Sequence, residues 1–164
     1  MQEDAVDQIL GQWHLERPEL DVSPMGVIGR MGRLAKYLDR SIQETVSEFG
    51  LNPGEFDVLA TLLRSGSPYQ LSPTDLFNAL MVTSGTMTNR IDQLERAELV
   101  RRTPDPHDRR GTLIALTEKG LSLIGQAIEA HVTNLHRLLS VLEESERQFL
   151  VILLRKLVLS FEQD

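Results

Sequence analysis

Cysteine is missing from all 164 residues, tryptophan occurs once, and aromatic residues make up only 5%. Without cysteine there are no disulfides, no thiolate metal ligands, no thiol nucleophile and no thiol-based redox sensing. Long hydrophobic runs are missing as well. The longest candidate, FLVILLRKLVL, is too short and too broken by charge to span a bilayer. The first residues, MQEDAVDQIL, are acidic and hold no apolar signal core. A cytoplasmic protein with no membrane partner is therefore expected. Catalytic signatures are absent too: there is no G-x-S-x-G, no H-E-x-x-H and no glycine-rich phosphate loop. His14, His107, His131 and His136 are dispersed, and the five-residue step between the last two does not suit a shared metal on one helix face. Neither an enzyme, nor a metal, nor a cofactor is expected.

Positive charge is scarce overall but locally concentrated. Lysine and arginine total 17 against 24 acidic residues, a formal net charge of −7. That balance argues against sequence-blind coating of nucleic acid. Residues 1–25 carry Glu3, Asp4, Asp7, Glu16, Glu19 and Asp21 against Arg17 alone. Residues 99–113 instead carry Arg101, Arg102, Arg109 and Arg110 against Asp105 and Asp108. The local cation is arginine, the side chain suited to two-point contacts with phosphate or base edges.

Composition is otherwise that of a globular domain, with 41% hydrophobic and 25% charged residues and enough length for one substantial core. After a polar N-terminal stretch, SPMGVIGRMGRLAKYLDRSIQETVSEFG reads as a long helix. Ser23 is expected to cap it, Pro24 to fit its first turn and Gly50 to close it. Val27, Met31, Leu34, Leu38 and Ile42 recur at helical spacing. Asn52 with Glu55 opens a second helix, and Ser72, Pro73 and Asp75 open a third. VTSGTMTNRIDQLERAEL is a fourth, capped by Thr83 or Ser84. LVRR and TLIAL then flank TPDPHDRRG as a hairpin with a long tip. Thr117 caps a fifth helix, and a sixth covers roughly residues 143–161. This order predicts a mainly α protein with a small β-hairpin, a winged helix-turn-helix flanked by long helices.

The fourth helix has the pattern of a reading head. At 100° per residue, Met87, Ile91 and Leu94 form a core stripe, and Gly85, Thr88, Asn89, Asp92 and Arg96 fall opposite. Gly85 permits close approach, Thr88 suits a phosphate or a thymine methyl, and Asn89 suits adenine. Ser84 and Thr86 lie at the helix N-terminus, where backbone N–H groups favour phosphate. In the hairpin, Pro104 and Pro106 stiffen a tip from which Arg109 and Arg110 can enter a minor groove. Asp108 is expected to orient a neighbouring arginine. A solvated helix face and a surface salt-bridge network are the competing explanations for these same residues.

Two stretches, VTSGTMTNRIDQLERAELVRR and DPHDRRGTLIALTEKG, resemble the MarR family of bacterial regulators over residues 23–162. The Asp-x-x-Asp-Arg-Arg wing followed by a Leu-Thr-x-x-Gly helix start carries most of that resemblance. The resemblance implies one MarR-like domain over residues 1–164. Residues 1–50 and 118–164 would hold the dimerisation helices, and 51–117 the DNA-binding lobe. It implies a homodimer that binds a pseudo-palindromic double-stranded operator, acts as a repressor, and is released by a small molecule.

Trp13, Asp57, Arg90 and Arg102, with steps of 33 and 12 residues between the last three, are similar to the urate-responsive branch of that family, which has an added N-terminal helix. The resemblance implies an effector site in which Trp13 stacks on a planar ring, Arg90 or Arg102 pairs with its negative charge, and Asp57 accepts a ring N–H. Urate, a phenolic acid or another carboxylate all fit that chemistry. The competing readings are packing of Trp13, a structural Asp57–Arg90 pair, and Arg102 on phosphate. A winged helix used only for protein contacts is the remaining rival for the whole chain. It predicts an apolar or acidic recognition face.

Overall fold

The computed structural model describes residues 2–80, 84–106, 108 and 111–162. Among these residues seven helices and three short strands follow one another: α1 (Ala5–Glu16), α2 (Ser23–Ser47), α3 (Pro53–Arg64), β1 (Gln70–Leu71), α4 (Pro73–Leu80), α5 (Ser84–Arg96), β2 (Val100–Pro104), β3 (Thr112–Leu116), α6 (Glu118–Leu138) and α7 (Glu144–Phe161). The architecture is mainly α with a small antiparallel sheet, ordered β1-β3-β2. No helix among the described residues is long and apolar enough to cross a membrane. The chain divides into two compact units, residues up to Gln43 and residues from Glu44 onward.

In the first unit the acidic N-terminus is not merely a polar stretch. Asp4 and Asp7 form a capping box, with the Asp4 carboxylate accepting from the Val6 and Asp7 N–H groups at 2.7 and 3.1 Å. Arg30 of α2 then donates to Asp4 at 2.9 Å and to Asp7 at 2.6 Å. The Asp4 backbone N–H, and after it Arg30, hold the Asp7 carboxyl below its usual range. Two of the acids counted against Arg17 are thus the start of a helix. The expected cap of α2 needs a correction. Ser23 is the first helical residue, and the Asp21 carboxylate accepts from its N–H at 3.0 Å. A carboxylate placed at the positive end of the helix displaces the hydroxyl from that role. Between α1 and the first turns of α2 lies an open apolar groove of about 520 Å³, lined by Val6, Ile9, Leu10, Met25 and Ile28 among others.

The second unit holds the buried core. Phe56, Val58, Leu59 and Leu62 of α3, Leu76 of α4, and Met87, Ile91 and Leu94 of α5 are all 5% exposed or less, as are Val100, Ile114 and Ile124. A capping box at Asn52–Glu55 starts α3, and at α4 the Ser72 hydroxyl accepts from the Asp75 N–H and donates to the Asp75 carboxylate, both where the sequence places them. β2 and β3 pair with Arg101 opposite Ala115 and Arg102 opposite Ile114. Strand β1, two residues long and paired with β3, is not legible in the sequence pattern. α7 buries none of its residues within the chain.

Candidate nucleic-acid interface and adjoining polar cluster

Burial of Met87, Ile91 and Leu94 fixes the rotation of α5 about its axis. Gly85, Thr86, Thr88, Asn89 and Arg96 are consequently exposed, as the 3.6-residue period requires. Ser84 is the first residue of α5, so the start of the helix lies in the same stretch. Thr83 lies outside the described residues. α4 and α5 are two short helices joined in sequence, and a cleft of about 250 Å³ between them is lined by Pro73, Phe77, Met87, Thr88 and Ile91 among others.

The wing is the β2–β3 hairpin. Its tip is drawn together by two backbone bonds, Asp105 N–H to Gly111 O at 3.1 Å and Gly111 N–H to Asp108 O at 2.9 Å. Gly111 is required here, since a Cβ would sit 2.9 Å from the Asp105 side chain and 3.1 Å from that of Asp108. Asp108 is exposed on this tip. Arg109 and Arg110, the expected groove-reading pair, lie outside the described residues, as does His107.

The residues expected around an effector divide between the two units. Trp13 is on α1 and 39% exposed. Asp57 and Arg90 belong to the second unit, on α3 and α5. Arg90 lies over the start of α3: a Cβ added to the buried Gly54 would fall 2.4 Å from its guanidinium carbon. Gly54 therefore makes the space in which Arg90 rests, and sequence reading did not single it out. Its signal is the Asn-Pro-Gly-Glu helix start, where a glycine has no helical reason to stand.

His131 of α6 joins the same cluster. Its ring lies 5.0 Å from that of Phe56, tilted by 45°. The His131 Nδ1 is buried and has no hydrogen-bond partner among the described residues. Asp57 is exposed on α3, yet partial desolvation by its neighbours raises its carboxyl above its usual range, against the opposing pull of Arg90 and then His131. A carboxyl beside an arginine and an imidazole nitrogen without a partner among the described residues is a polar site with unused hydrogen-bonding capacity. Arg102 bridges Asp92 and Glu95 of α5.

The raised Asp57 carboxyl has a consequence for stability. Its proton is held more tightly in the folded chain, so the stabilisation it contributes is complete below the ordinary carboxylate range and lost as pH rises through the raised value. Asparagine cannot ionise. Asp57→Asn is expected to melt above the wild type at pH 7–8, with the two curves converging towards pH 4. Thermal melts followed by circular dichroism across that range measure it. A variant less stable than wild type at pH 8 would mean that attraction to Arg90 outweighs desolvation.

Residues 51–112 match the MarR family. The HTH-type transcriptional regulator PecS of Dickeya dadantii (strain 3937) is 45% identical over 149 residues, covering 91% of this chain and 90% of that protein. Among solved structures, a mutant of MarR from E. coli complexed with operator DNA aligns with a TM-score of 0.70 at 25% identity, over 94% of this chain and 99% of its own. BpsR of Bordetella bronchiseptica aligns with a TM-score of 0.70 at 26% identity, over 80% and 92% of the two chains. That structure concerns the regulation of BpsR's DNA binding by 6-hydroxynicotinic acid.

Proposed function

The chain belongs to the MarR family, and from that premise we propose that it is a homodimeric, sequence-specific DNA-binding regulator, a repressor released by a small aromatic anion. The observation that carries the reading is the rotation of α5. Its core stripe is buried, and the face left outside presents Gly85, Thr86, Thr88, Asn89 and Arg96 beside a β-hairpin wing. Short donors and acceptors in that order suit base edges and phosphates. The protein-contact rival needs an apolar or acidic face here. In this reading Ser84 and the helix start take a phosphate, and Arg109 and Arg110, oriented by Asp108, reach the minor groove. Residues 51–117 form the reading lobe and helices within 1–50 and 118–164 form the dimer. Two recognition helices then fall about one helical turn of DNA apart, ~34–36 Å.

The effector reading rests on the Asp57–Arg90–His131 cluster. Arg90 stands on the recognition helix and rests on the start of α3, so an anion that pairs with Arg90 and repels Asp57 changes how α5 sits. Affinity for DNA and for ligand are then linked through two positions of one helix. Trp13 offers an exposed indole for a planar ring. Urate is the anion proposed. The alternative, a hydroxylated aromatic carboxylate, is favoured by the likeness to BpsR.

Fluorescence anisotropy of a labelled duplex from upstream of the protein's own gene, titrated at fixed salt, tests both. Binding that urate weakens by about tenfold or more is the expected result. Binding weakened instead by 6-hydroxynicotinic acid moves the assignment to the carboxylate, and binding that neither alters removes the effector reading. If no duplex, including those selected from a random library, outcompetes random DNA, the DNA-reading proposal fails.

A further inference from the structure

The recognition helix carries a feature at odds with reading DNA. Asp92 stands four residues after Thr88 and three after Asn89, so it shares their side of α5. Glu95 follows one turn on, beside Arg96. Two bare carboxylates next to a phosphate backbone would repel it, and the charge law makes that repulsion felt well beyond contact distance.

Arg102 of β2 meets both. Its Nη2 donates to Asp92 Oδ1 at 2.6 Å, its Nη1 donates to Glu95, and its backbone N–H donates to Glu95 Oε1 at 3.3 Å. The strand register holds the residue in place, since Arg102 pairs with Ile114, which is fully buried. The side chains of Arg102, Asp92 and Glu95 are 36%, 39% and 37% exposed. At that exposure an ion-pair network contributes little to stability. Its two-point geometry, by contrast, fixes orientation. The nearby Lys119–Glu98 contact, at 3.5 Å with both side chains more exposed, has no such fork.

We propose that Arg102 is a positioning residue for DNA reading, a clamp that neutralises Asp92 and Glu95 on the face of α5 and ties the wing to that helix. The inference rests on the DNA-reading function above. Removing the arginine exposes the carboxylates to the duplex, and removing the carboxylates as well should cancel that loss.

The test measures anisotropy with the duplex that the wild type binds and with a random duplex, at one salt concentration, alongside thermal melts. Arg102→Ala is expected to weaken both duplexes by about tenfold with a melting point within a few degrees of wild type. Asp92→Asn/Glu95→Gln/Arg102→Ala is expected to recover to within about threefold of wild type. Arg102→Lys, which keeps the charge without the fork, should fall between wild type and Arg102→Ala. The clamp is overturned if the triple variant binds as weakly as Arg102→Ala, because a direct contact would then be lost in both. It is also overturned if Arg102→Ala binds normally, or if that variant is unfolded at the assay temperature. A wild type that binds no duplex selectively would instead remove the DNA reading itself.

Discussion

Introducing Leu154→Glu and Leu157→Glu together into α7 is expected to convert the protein to a monomer and to weaken operator binding by about a hundredfold or more. The helix buries nothing within its own chain, yet Phe149, Val151, Ile152, Leu153, Leu154, Leu157, Val158, Leu159 and Phe161 are all large and apolar, with exposures between 39% and 80%. So many exposed large apolar side chains on one helix point to a covered interface rather than a free surface. Leu150, Leu154, Leu157 and Phe161 recur at steps of four, three and four, the spacing of one helix stripe. α2 shows the same imbalance, with Val27, Met31 and Leu34 each more than a third exposed. A second copy of the chain is the occupant proposed for these faces. Burying two carboxylates in such an interface would cost several kcal/mol. A monomer then meets one half-site and loses the second set of contacts. Sedimentation equilibrium and anisotropy on the same samples measure both effects, with circular dichroism to show that helical content persists. A double variant that stays dimeric and binds normally would move the interface away from this stripe of α7.

The same exposed faces mark where sequence periodicity informs and where it stops. The stripe of Met87, Ile91 and Leu94 predicts the buried side of α5 because a short amphipathic helix has one way to lie on a core, and all three side chains are buried. Local cap chemistry is equally legible: Asn52, Ser72 and Thr117 each accept from the backbone three residues on. Periodicity cannot say whether an apolar stripe meets its own chain or another copy, and α2 and α7 read like core helices while remaining largely exposed. Strand β1 was missed because two residues carry no alternation, and it exists only through its pairing with β3. The candidate site is legible in its residue types but not in its pairings. The spacing of Arg102 from Arg90 carries a resemblance to an effector site but says nothing of its contacts within the chain. In three dimensions Arg102 meets Asp92 and Glu95, carboxylates that only the strand register brings near. Gly54 and His131 carry no motif at all. They belong to the cluster because helices α3, α5 and α6 converge there, a long-range fact that no local window contains.

Gly120→Ala should produce the largest loss of stability from any single methyl group, about 3 kcal/mol or more. α6 starts at Thr117, whose hydroxyl accepts from the Gly120 N–H at 2.9 Å, while the Thr117 N–H and hydroxyl both reach the Leu99 carbonyl, at 3.1 and 3.2 Å. Those bonds draw the first turn of α6 onto the residue that leads into β2. A Cβ on Gly120 would lie 1.9 Å from the Leu99 oxygen and 2.9 Å from its carbonyl carbon, and both are backbone atoms that cannot rotate aside. Relieving the clash means lifting α6 from the β2 entry or breaking the Thr117 cap. Either change disturbs buried Leu99, Val100 and Ile124. The Leu-Thr-x-x-Gly helix start thus has a physical basis, in that threonine pulls the helix in and glycine leaves room for it to arrive. Gly125→Ala is the matched control. It lies five residues further along α6 with nothing within 4 Å of its added Cβ, so it should be neutral or stabilising by up to about 1 kcal/mol. Urea unfolding of the two variants, read as midpoints at equal slope, separates a clash at one contact from a general effect of helix propensity. Equal midpoints would mean that α6 and β2 can part at negligible cost.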